Sequence, residues 1–262
     1  MLHRVTMGKG EPVVLVHGFT QTHLSWGPLA GLLAADRRVT AVDAPGHGRS
    51  SAVAAGLWDG GRLIGDVGGP ATYVGYSLGG RLALCLALDR PHLVQRLVLV
   101  SATAGLDDPG QRAERRQADE QLAQRVEREG VEPFVRWWLS QPMWASLTPE
   151  AAAAADRLGS TAGGLASSLR RAGQGQLDPP LWDRLAELAM PVLVIAGARD
   201  TAYAERGRRL AAAIAGATLA VIPDAGHACH LERPAAVWEV LEPWLDAHPV
   251  GHRASPTTRR AP

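Results

Sequence analysis

The chain has 262 residues, of which 46% are hydrophobic and 20% charged, a composition typical of a globular protein with one substantial core and room for an insertion. The formal net charge of +1 gives no reason to expect nucleic acid or a charged membrane surface as a partner. Lys9 is the only lysine, so any anion-binding site in this chain must be built from arginine.

The first ten residues contain neither the apolar core of a signal peptide nor a run long enough to span a membrane, and we expect a cytoplasmic protein. Seven strands are predicted from apolar, β-branched runs: 2–7 as an edge strand, 13–17, 38–42, 71–75, 96–101, 192–196 and 217–222. Helices are predicted between most of them, notably at 78–89, 203–215 and 234–247. This alternation predicts an α/β fold with a mostly parallel, doubly wound sheet.

Between residues 102 and 190 the alternation of strands and helices stops. A charged helix at 111–129, an aromatic-rich one at 131–139 and an alanine- and arginine-rich stretch at 149–172 predict a helical lid inserted before the last two strands. Its amphipathic stretches could equally form a partner-binding surface. The core would then comprise 1–101 and 191–247, and the proline- and arginine-containing segment 248–262 is predicted to be a disordered tail.

A serine lies where a predicted strand passes into an apolar helix. Residues 75–79 read Gly-Tyr-Ser-Leu-Gly and fit the Gly-x-Ser-x-Gly pattern of a nucleophile elbow, which exposes the Oγ of Ser77 above a sheet. Gly75 and Gly79 are required because a Cβ at either position would collide with the neighbouring strand or helix. His17 and Gly18, at the end of an earlier strand, strengthen this interpretation.

The acid and the base that such a serine needs follow in the order expected after an elbow. Asp200 comes just after the strand at 192–196, and His227 just after the strand at 217–222. Ligands bind beyond the carboxyl ends of strands in open α/β sheets, and both residues lie there. Taken singly, Asp200 could be a helix cap and His227 a loop histidine; together they predict a Ser77–Asp200–His227 triad.

Two further groups of polar residues receive structural interpretations. The loop histidine His47 is predicted to be a surface residue near the pocket mouth. Cys85 and Cys229 imply no disulfide framework, and Cys85 is predicted to lie in the core. The segment from His227 to His230 could suggest a metal site, but no second ligand cluster accompanies it, so we predict neither a metal nor a cofactor.

Four segments resemble the α/β-hydrolase superfamily across about residues 10 to 247, and within it the 2-succinyl-6-hydroxy-2,4-cyclohexadiene-1-carboxylate synthase family of menaquinone biosynthesis. They are Val74-Gly75-Tyr76-Ser77-Leu78-Gly79-Gly80-Arg81, Gln111-Arg112-Ala113-Glu114-Arg115, Trp138 with Gln141-Pro142-Met143-Trp144-Ala145-Ser146-Leu147, and Ala225-Gly226-His227 with Glu232-Arg233-Pro234. The two lid segments are more specific to the synthases than the other two.

The resemblance implies an α/β-hydrolase fold and a lyase that eliminates pyruvate from 2-succinyl-5-enolpyruvyl-6-hydroxy-3-cyclohexene-1-carboxylate. Such a small-molecule substrate carries several carboxylates. Arg81, four residues after Ser77 on the same helix face, and Arg115 on the lid would bind them bidentately. Either arginine could instead be solvated or paired with an acidic neighbour. Arg112 and Arg116 are predicted to lie on the outer, solvated face.

The resemblance also assigns roles around the proposed reaction. Ser77, deprotonated through His227, would remove or relay the proton α to the succinyl ketone, with Asp200 fixing the histidine tautomer. The backbone N–H groups of Phe19 and Leu78 would hold the enolate oxygen.

Three aromatic residues are candidates for the pocket wall: Tyr76, Trp138 and Trp144. Packing alone would explain Tyr76 as well, and lid packing is an equal explanation for Trp144. One segment departs from the family pattern: residues 51–70 are glycine-rich and predicted to be less helical than the helix that usually precedes the elbow strand.

Other functions use the same residues. A serine esterase or carbon–carbon bond hydrolase acting on a small carboxylic acid would need the same triad, and only Arg81, Arg115 and the lid motif argue against it. A catalytically silent ligand receptor is disfavoured by the intact triad. A halide-displacing enzyme usually needs a carboxylate nucleophile, which this elbow does not offer.

Overall fold

The apolar runs of the sequence form one seven-stranded sheet in a computed structural model that describes residues 1–250. The strands are β1 (Arg4–Met7), β2 (Glu11–Val16), β3 (Arg37–Val42), β4 (Ala71–Tyr76), β5 (Val94–Val100), β6 (Val192–Gly197) and β7 (Thr218–Ile222). Their spatial order is β1-β3-β2-β4-β5-β6-β7, with β1 antiparallel to β3 and every other pair parallel. All seven predicted strands are present, and the predicted α/β-hydrolase fold is confirmed.

Helices cover both faces of the sheet because successive strand residues point to opposite sides. Val14 packs into one buried cluster and Val13 into the other. The first cluster includes residues of α2 (Leu57–Gly68), α3 (Leu78–Asp89) and α8 (Thr201–Ala213). The second includes residues of α1 (Pro28–Ala34), α9 (Cys229–Glu232) and α10 (Pro234–Ala247). The parallel strands therefore present their carboxyl ends, and the predicted triad, at one edge of a core closed on both sides.

The insertion between β5 and β6 contains four α-helices. They are α4 (Pro109–Glu129), α5 (Val131–Leu139), α6 (Pro149–Ala152) and α7 (Ala162–Ala172). The stretch predicted as one region at 149–172 is divided, since Ala153 adopts a left-handed conformation with φ 43° and a 3₁₀ turn follows at Ala154–Arg157. A small separate core, which includes Phe134 and Leu165, joins α4, α5 and α7. The insertion thus has packing of its own and is placed over the elbow by Phe19 and Trp138.

The expectation that residues 51–70 are poorly helical is wrong. They contain the 12-residue helix α2, whose glycines allow close packing against α3. A Cβ at Gly61 would lie 2.8 Å from the carbonyl oxygen of Leu82, so this glycine permits two helices to approach. The glycine content misled the prediction because contact with α3 outweighs the low helix propensity of glycine.

Most of the predicted tail, residues 251–262, lies outside the described residues. His248, which lies within them, is bound: Arg96 Nη1 donates to its carbonyl oxygen at 2.8 Å, and its Nδ1 donates to the carbonyl of Trp244 at 2.8 Å. Across residues 1–250, no helix combines the length and the apolar character that a bilayer crossing demands.

Candidate active site

Ser77 occupies the tight turn between β4 and α3. Its backbone has φ 50° and ψ −106°, a conformation that a non-glycine residue rarely adopts and that marks strain at a functional position. Space around the turn is minimal: a Cβ at Gly79 would lie 1.9 Å from the carbonyl oxygen of Val16, and one at Gly75 would lie 2.5 Å from that of Gly79. The glycines predicted from the motif are therefore required by backbone contact.

His227 connects Ser77 to Asp200. Its Nδ1 lies 2.7 Å from Asp200 Oδ2, and its Nε2 lies 3.1 Å from Ser77 Oγ. Burial raises the pKa of the Asp200 carboxyl. The interaction with His227 and the hydrogen bond from the amide of Tyr203 lower it by more, so the net pKa is below its ordinary value. Because an ionised carboxylate can only accept, His227 Nδ1 donates and Nε2 accepts from the Ser77 hydroxyl.

The alternative interpretation of Asp200 as a helix cap is also correct. Asp200 Oδ1 accepts a hydrogen bond of 3.2 Å from the backbone N–H of Tyr203 and caps α8, while Oδ2 faces His227. His227 is 2% exposed, so it is not a solvated loop histidine. The Asp200 carboxylate therefore caps α8 with one oxygen and orients the imidazole of His227 with the other.

The two predicted oxyanion donors flank the serine. Within residues 1–250, neither the N–H of Phe19 nor that of Leu78 has a hydrogen-bond acceptor in the protein. Leu78 is the first residue of α3, where backbone N–H groups are free and the helix dipole favours negative charge. Both residues line the same cavity as Ser77, which agrees with the prediction that their N–H groups bind an oxygen anion there.

His17 fixes the segment that carries Phe19. Its Nε2 accepts from the N–H of Ala44 at 3.0 Å, so its Nδ1 carries the proton and donates to the carbonyl of Gly18 at 2.8 Å. Burial lowers the pKa of His17 to about 4, and the ring is neutral near pH 7. The histidine-glycine pair after β2 thus fixes the backbone that leads to Phe19, a predicted oxyanion donor.

His47 is not the surface residue that the sequence predicted. It is fully buried, donates from Nδ1 to the carbonyl of Pro45 at 3.0 Å, and packs edge-on against Phe19 with ring centroids 5.7 Å apart. Burial lowers its pKa to about 3. The turn-rich loop folds inward because His47 has aromatic neighbours, His17 and Phe19, that a local pattern does not reveal.

A cavity that is open to solvent lies between the elbow and the insertion. Its lining contains every predicted site residue except Asp200, which lies behind His227. These residues are Phe19, Tyr76, Ser77, Leu78, Arg81, Arg115, Trp138, Trp144 and His227. The core supplies Ser77 and His227, the predicted nucleophile and base, and the insertion supplies Arg115 and the two tryptophans.

Arg81 is a buried cation without an anionic partner in the described part of the chain. It is 7% exposed, its Nη2 donates to the carbonyl of Ala172 at 3.3 Å, and its buried Nε has no acceptor. Burial is the main cause of its lowered pKa, and nearby Arg115 acts in the same direction. A buried, unpaired guanidinium is unfavourable unless an anion binds to it. The alternative that Arg81 pairs with an acidic neighbour is therefore wrong.

Arg115 does have such a partner. Its Nε and Nη2 donate to Oδ1 of Asp119, one turn further along α4, at 2.9 and 2.7 Å. Burial lowers the pKa of Arg115, but Asp119 raises it more, and the net pKa lies above its ordinary value. Asp119 itself is 1% exposed. Arg115 still lines the cavity, so the ion pair fixes its orientation there.

The prediction that Arg112 is solvated is wrong. It is 7% exposed and its Nη1 donates to the carbonyls of Leu106 and Asp107 at 2.9 and 2.8 Å, which ties down the start of the insertion. Arg116 is half-exposed and donates to the carbonyl of Gly175 at 2.9 Å. Both arginines hold the insertion in shape and lie outside the cavity lining.

Aromatic rings form the roof and back wall of the cavity. Trp138 contacts Phe19 with centroids 5.4 Å apart, and Trp144 packs edge-on against His227 at 5.6 Å. Tyr76 is buried behind the catalytic edge, 5.4 Å from the ring of His227, and burial raises its pKa well above the ordinary value. Tyr76 therefore remains a neutral phenol that helps hold His227 in place.

Other cavity residues were not anticipated from the sequence: Asp119, Ser168, Gln174 and Tyr203. Asp119 could have been inferred, because an acid four residues after Arg115 on a helix is a pairing signal. Tyr203 follows Asp200 by three residues on α8, but its contact with His227 depends on how β7 and α8 are placed. Gln174 lies in the irregular turn after α7, for which no local signal existed.

One group in residues 1–250 has geometry compatible with a metal ion, formed by His3, His23 and Asp43. It lies outside the cavity, and Oδ1 of Asp43 already accepts from the N–H and from Nδ1 of His23 at 2.7 and 2.8 Å. The segment from His227 to His230 does not form such a group. The cavity itself is lined by Ser77, His227 and the two arginines Arg81 and Arg115.

Comparison with known proteins places this geometry in a family. The alpha/beta hydrolase family model matches residues 13–240. The 2-succinyl-6-hydroxy-2,4-cyclohexadiene-1-carboxylate synthase of Salmonella paratyphi C is 34% identical over 257 residues, covering 92% of this chain and 97% of that protein. A Bacillus subtilis protein provisionally given the same name is 33% identical over 249 residues, covering 90% of each.

Solved structures agree with that assignment. MenH from S. aureus superposes with a TM-score of 0.87 at 26% identity, covering 95% of this chain and 99% of that one. A thermophilic esterase from Thermogutta terrifontis, with malate bound, gives a TM-score of 0.82 at 26% identity, covering 95% and 94%. The chain therefore belongs to the α/β-hydrolase family, and within it resembles the 2-succinyl-6-hydroxy-2,4-cyclohexadiene-1-carboxylate synthases.

Proposed function

We propose that this protein is a lyase of menaquinone biosynthesis that converts 2-succinyl-5-enolpyruvyl-6-hydroxy-3-cyclohexene-1-carboxylate to 2-succinyl-6-hydroxy-2,4-cyclohexadiene-1-carboxylate and pyruvate. The observation that carries the proposal is the buried, unpaired guanidinium of Arg81 in the same cavity as Ser77 and His227. The names of the relatives at 33–34% identity support the same pathway.

The substrate class follows from the charge of the cavity. Arg81 offers an unpartnered Nε, and Arg115 offers the donors that Asp119 does not use. Guanidinium groups bind carboxylates through paired hydrogen bonds, and such charge-assisted contacts strengthen when a lid excludes water. A substrate with several carboxylates suits this cavity, and a simple neutral ester leaves Arg81 buried and unpaired.

The chemistry begins with proton transfer. Ser77 Oγ passes its proton to His227 Nε2 and takes the hydrogen α to the succinyl ketone, so that the C–H bond breaks and its electrons form an enolate. Asp200 keeps the imidazole in the tautomer that can accept the proton and stabilises the imidazolium. The N–H groups of Phe19 and Leu78 stabilise the enolate oxygen, each contributing about 3 kcal/mol.

Elimination then completes the reaction. As the enolate collapses, its electrons form a new ring double bond, the existing ring double bond shifts by one position, and the carbon–oxygen bond to the enolpyruvyl group breaks. The leaving group departs as the enolate of pyruvate, which takes up the proton that His227 holds. Trp138 and Trp144 cover the ring from the insertion, and Tyr76 supports His227 from behind. Atoms balance without water, metal or cofactor.

The test is incubation of the purified protein with the enolpyruvyl substrate while pyruvate is measured with lactate dehydrogenase. The proposal expects saturable pyruvate release, together with negligible turnover of p-nitrophenyl acetate. Rapid hydrolysis of the acetate without pyruvate release would instead identify a serine esterase. Pyruvate release that survives unchanged in Ser77→Ala would overturn the mechanism.

A further inference from the structure

Tyr203 lies between the catalytic histidine and the two cavity arginines. Its ring packs edge-on against the imidazole of His227, with centroids 4.5 Å apart and an interplanar angle of 67°. The same side chain lines the cavity together with Arg81 and Arg115. Its ring position is fixed from the other side by Arg206, whose guanidinium carbon lies 4.7 Å from the ring centroid.

The backbone also restricts Tyr203. It lies in the first turn of α8, and its N–H donates to Asp200 Oδ1 at 3.2 Å. The carboxylate that orients His227 therefore also anchors the residue whose ring contacts His227. This arrangement leaves the phenol little freedom, so a ligand that binds its hydroxyl need not immobilise a mobile side chain.

Tyr203 is half-buried, and within residues 1–250 no hydrogen bond joins its hydroxyl to another residue. Its side chain lines the cavity together with Arg81 and Arg115, and it opposes the lowering effect of burial on the pKa of both arginines. Guanidinium groups have no acceptor atoms, and the Asp119 carboxylate in the cavity lining already accepts from Arg115 through Oδ1. A ligand carboxylate has enough acceptor sites to bind Arg81 and the Tyr203 hydroxyl at the same time.

We propose that Tyr203 is a substrate-binding residue whose hydroxyl donates a hydrogen bond to the substrate carboxylate that Arg81 binds. The identity of the substrate rests on the proposed function. That the ligand carries a carboxylate rests on the residues of the cavity alone. It predicts that the cavity distinguishes a carboxylate from a neutral ester through two kinds of donor, one charged and one neutral.

The test is Tyr203→Phe, which removes one oxygen and retains the ring against His227. Pyruvate release gives kcat and KM, and quenching of the cavity tryptophans during titration gives the Kd for succinate as a dicarboxylate probe. We expect KM and the succinate Kd each to rise about tenfold, the usual effect of one lost hydrogen bond to a charged group. We expect kcat to change less than about threefold and the pH–rate profile to stay in place.

Tyr73→Phe is the matched control. The Tyr73 hydroxyl donates to the carbonyl of Gly69 at 2.6 Å, away from the cavity, so its removal should change neither KM nor the succinate Kd. Unchanged KM and Kd in Tyr203→Phe would overturn the proposal, as would a fall in kcat at constant KM.

Failure of the proposed function is a separate result. If the wild-type protein releases no pyruvate, succinate titration alone decides the role of Tyr203. A tenfold weaker Kd in Tyr203→Phe supports carboxylate binding, and an equal Kd overturns it.

Discussion

Replacing Arg81 with methionine should make the protein more stable and less active. The guanidinium is 7% exposed, makes one long hydrogen bond of 3.3 Å to the carbonyl of Ala172, and has no carboxylate partner within residues 1–250. Methionine has a similar length, no charge and enough flexibility to fill the space. The substitution therefore removes an uncompensated buried charge while preserving most apolar contacts.

The two effects can be given magnitudes. A buried donor without an acceptor costs about 1–3 kcal/mol, and removing a poorly paired buried charge is often stabilising by a similar amount. We expect the free energy of unfolding to rise by about 1–3 kcal/mol, which corresponds to roughly 2–4 °C in Tm per kcal/mol for a domain of this size. A charge-assisted contact to a substrate carboxylate is worth about 1.5–3 kcal/mol, so KM should rise about ten- to a hundredfold.

Thermal unfolding and pyruvate-release kinetics on the same preparation measure both effects. Arg136→Met is the matched control, because the Arg136 side chain is 78% exposed and its pairing with Glu132 is on the surface. Arg81→Lys should not restore KM, since an ammonium cannot reproduce the planar fork of a guanidinium. Loss of stability in Arg81→Met would refute the reasoning, because it would mean that the guanidinium is compensated within the fold.

Further predictions follow from the same geometry. Ser77→Ala and His227→Ala should each lower kcat at least about a thousandfold with Tm unchanged, and near-wild-type pyruvate release from either would exclude the mechanism. Arg115→Ala should reduce pyruvate release more than about tenfold while any weak acetate hydrolysis changes little; equal losses in both assays would indicate a damaged scaffold. Burial lowers the folded-state pKa of three histidines, so the unfolded chain takes up protons first and stability falls as the pH falls from about 6.5 towards 3. The free energy of unfolding in urea should be lower at pH 5 than at pH 7 by about 5–6 kcal/mol, and equal midpoints would contradict this. These histidines are His17, His47 and His230, with pKa values of about 4, 3 and 3.

The centre of the sheet was predictable because its inner strands, such as β4, β5 and β6, are short, apolar and almost wholly buried on both faces. The run 192–197 is fully buried, so neither of its faces has to be polar. A continuous apolar run of this length is therefore enough to identify the strand from the sequence. The helix at 57–68 was harder, since its glycines lower helix propensity locally. Their purpose becomes visible only against α3, where Gly61 meets the backbone of Leu82.

The hydrogen-bonded arrangement of Ser77, His227 and Asp200 was predictable because a nucleophile elbow constrains both the sequence order and the strand-end placement of its partners. Ser77, Asp200 and His227 each follow a strand, and parallel strands bring their carboxyl ends together. His47 shows the limit of that reasoning. Its loop has every local sign of a surface turn, yet His17 and Phe19, distant in sequence, provide it with a buried site.

Sequence spacing does not tell which arginine is free to bind an anion, because that depends on the hydrogen-bond partners of each arginine in the folded chain. Arg112 uses its donors on carbonyls at the start of the insertion, and Arg115 pairs with Asp119. Arg157 is buried without a carboxylate, but its Nε and Nη1 donate to Ala152 and Thr20 and it does not line the cavity. Arg81 alone among these four combines burial, an unpartnered Nε and direct access to the serine's cavity. The feature that distinguishes a binding arginine from a structural one is the absence of a compensating partner, and that is a property of the folded chain.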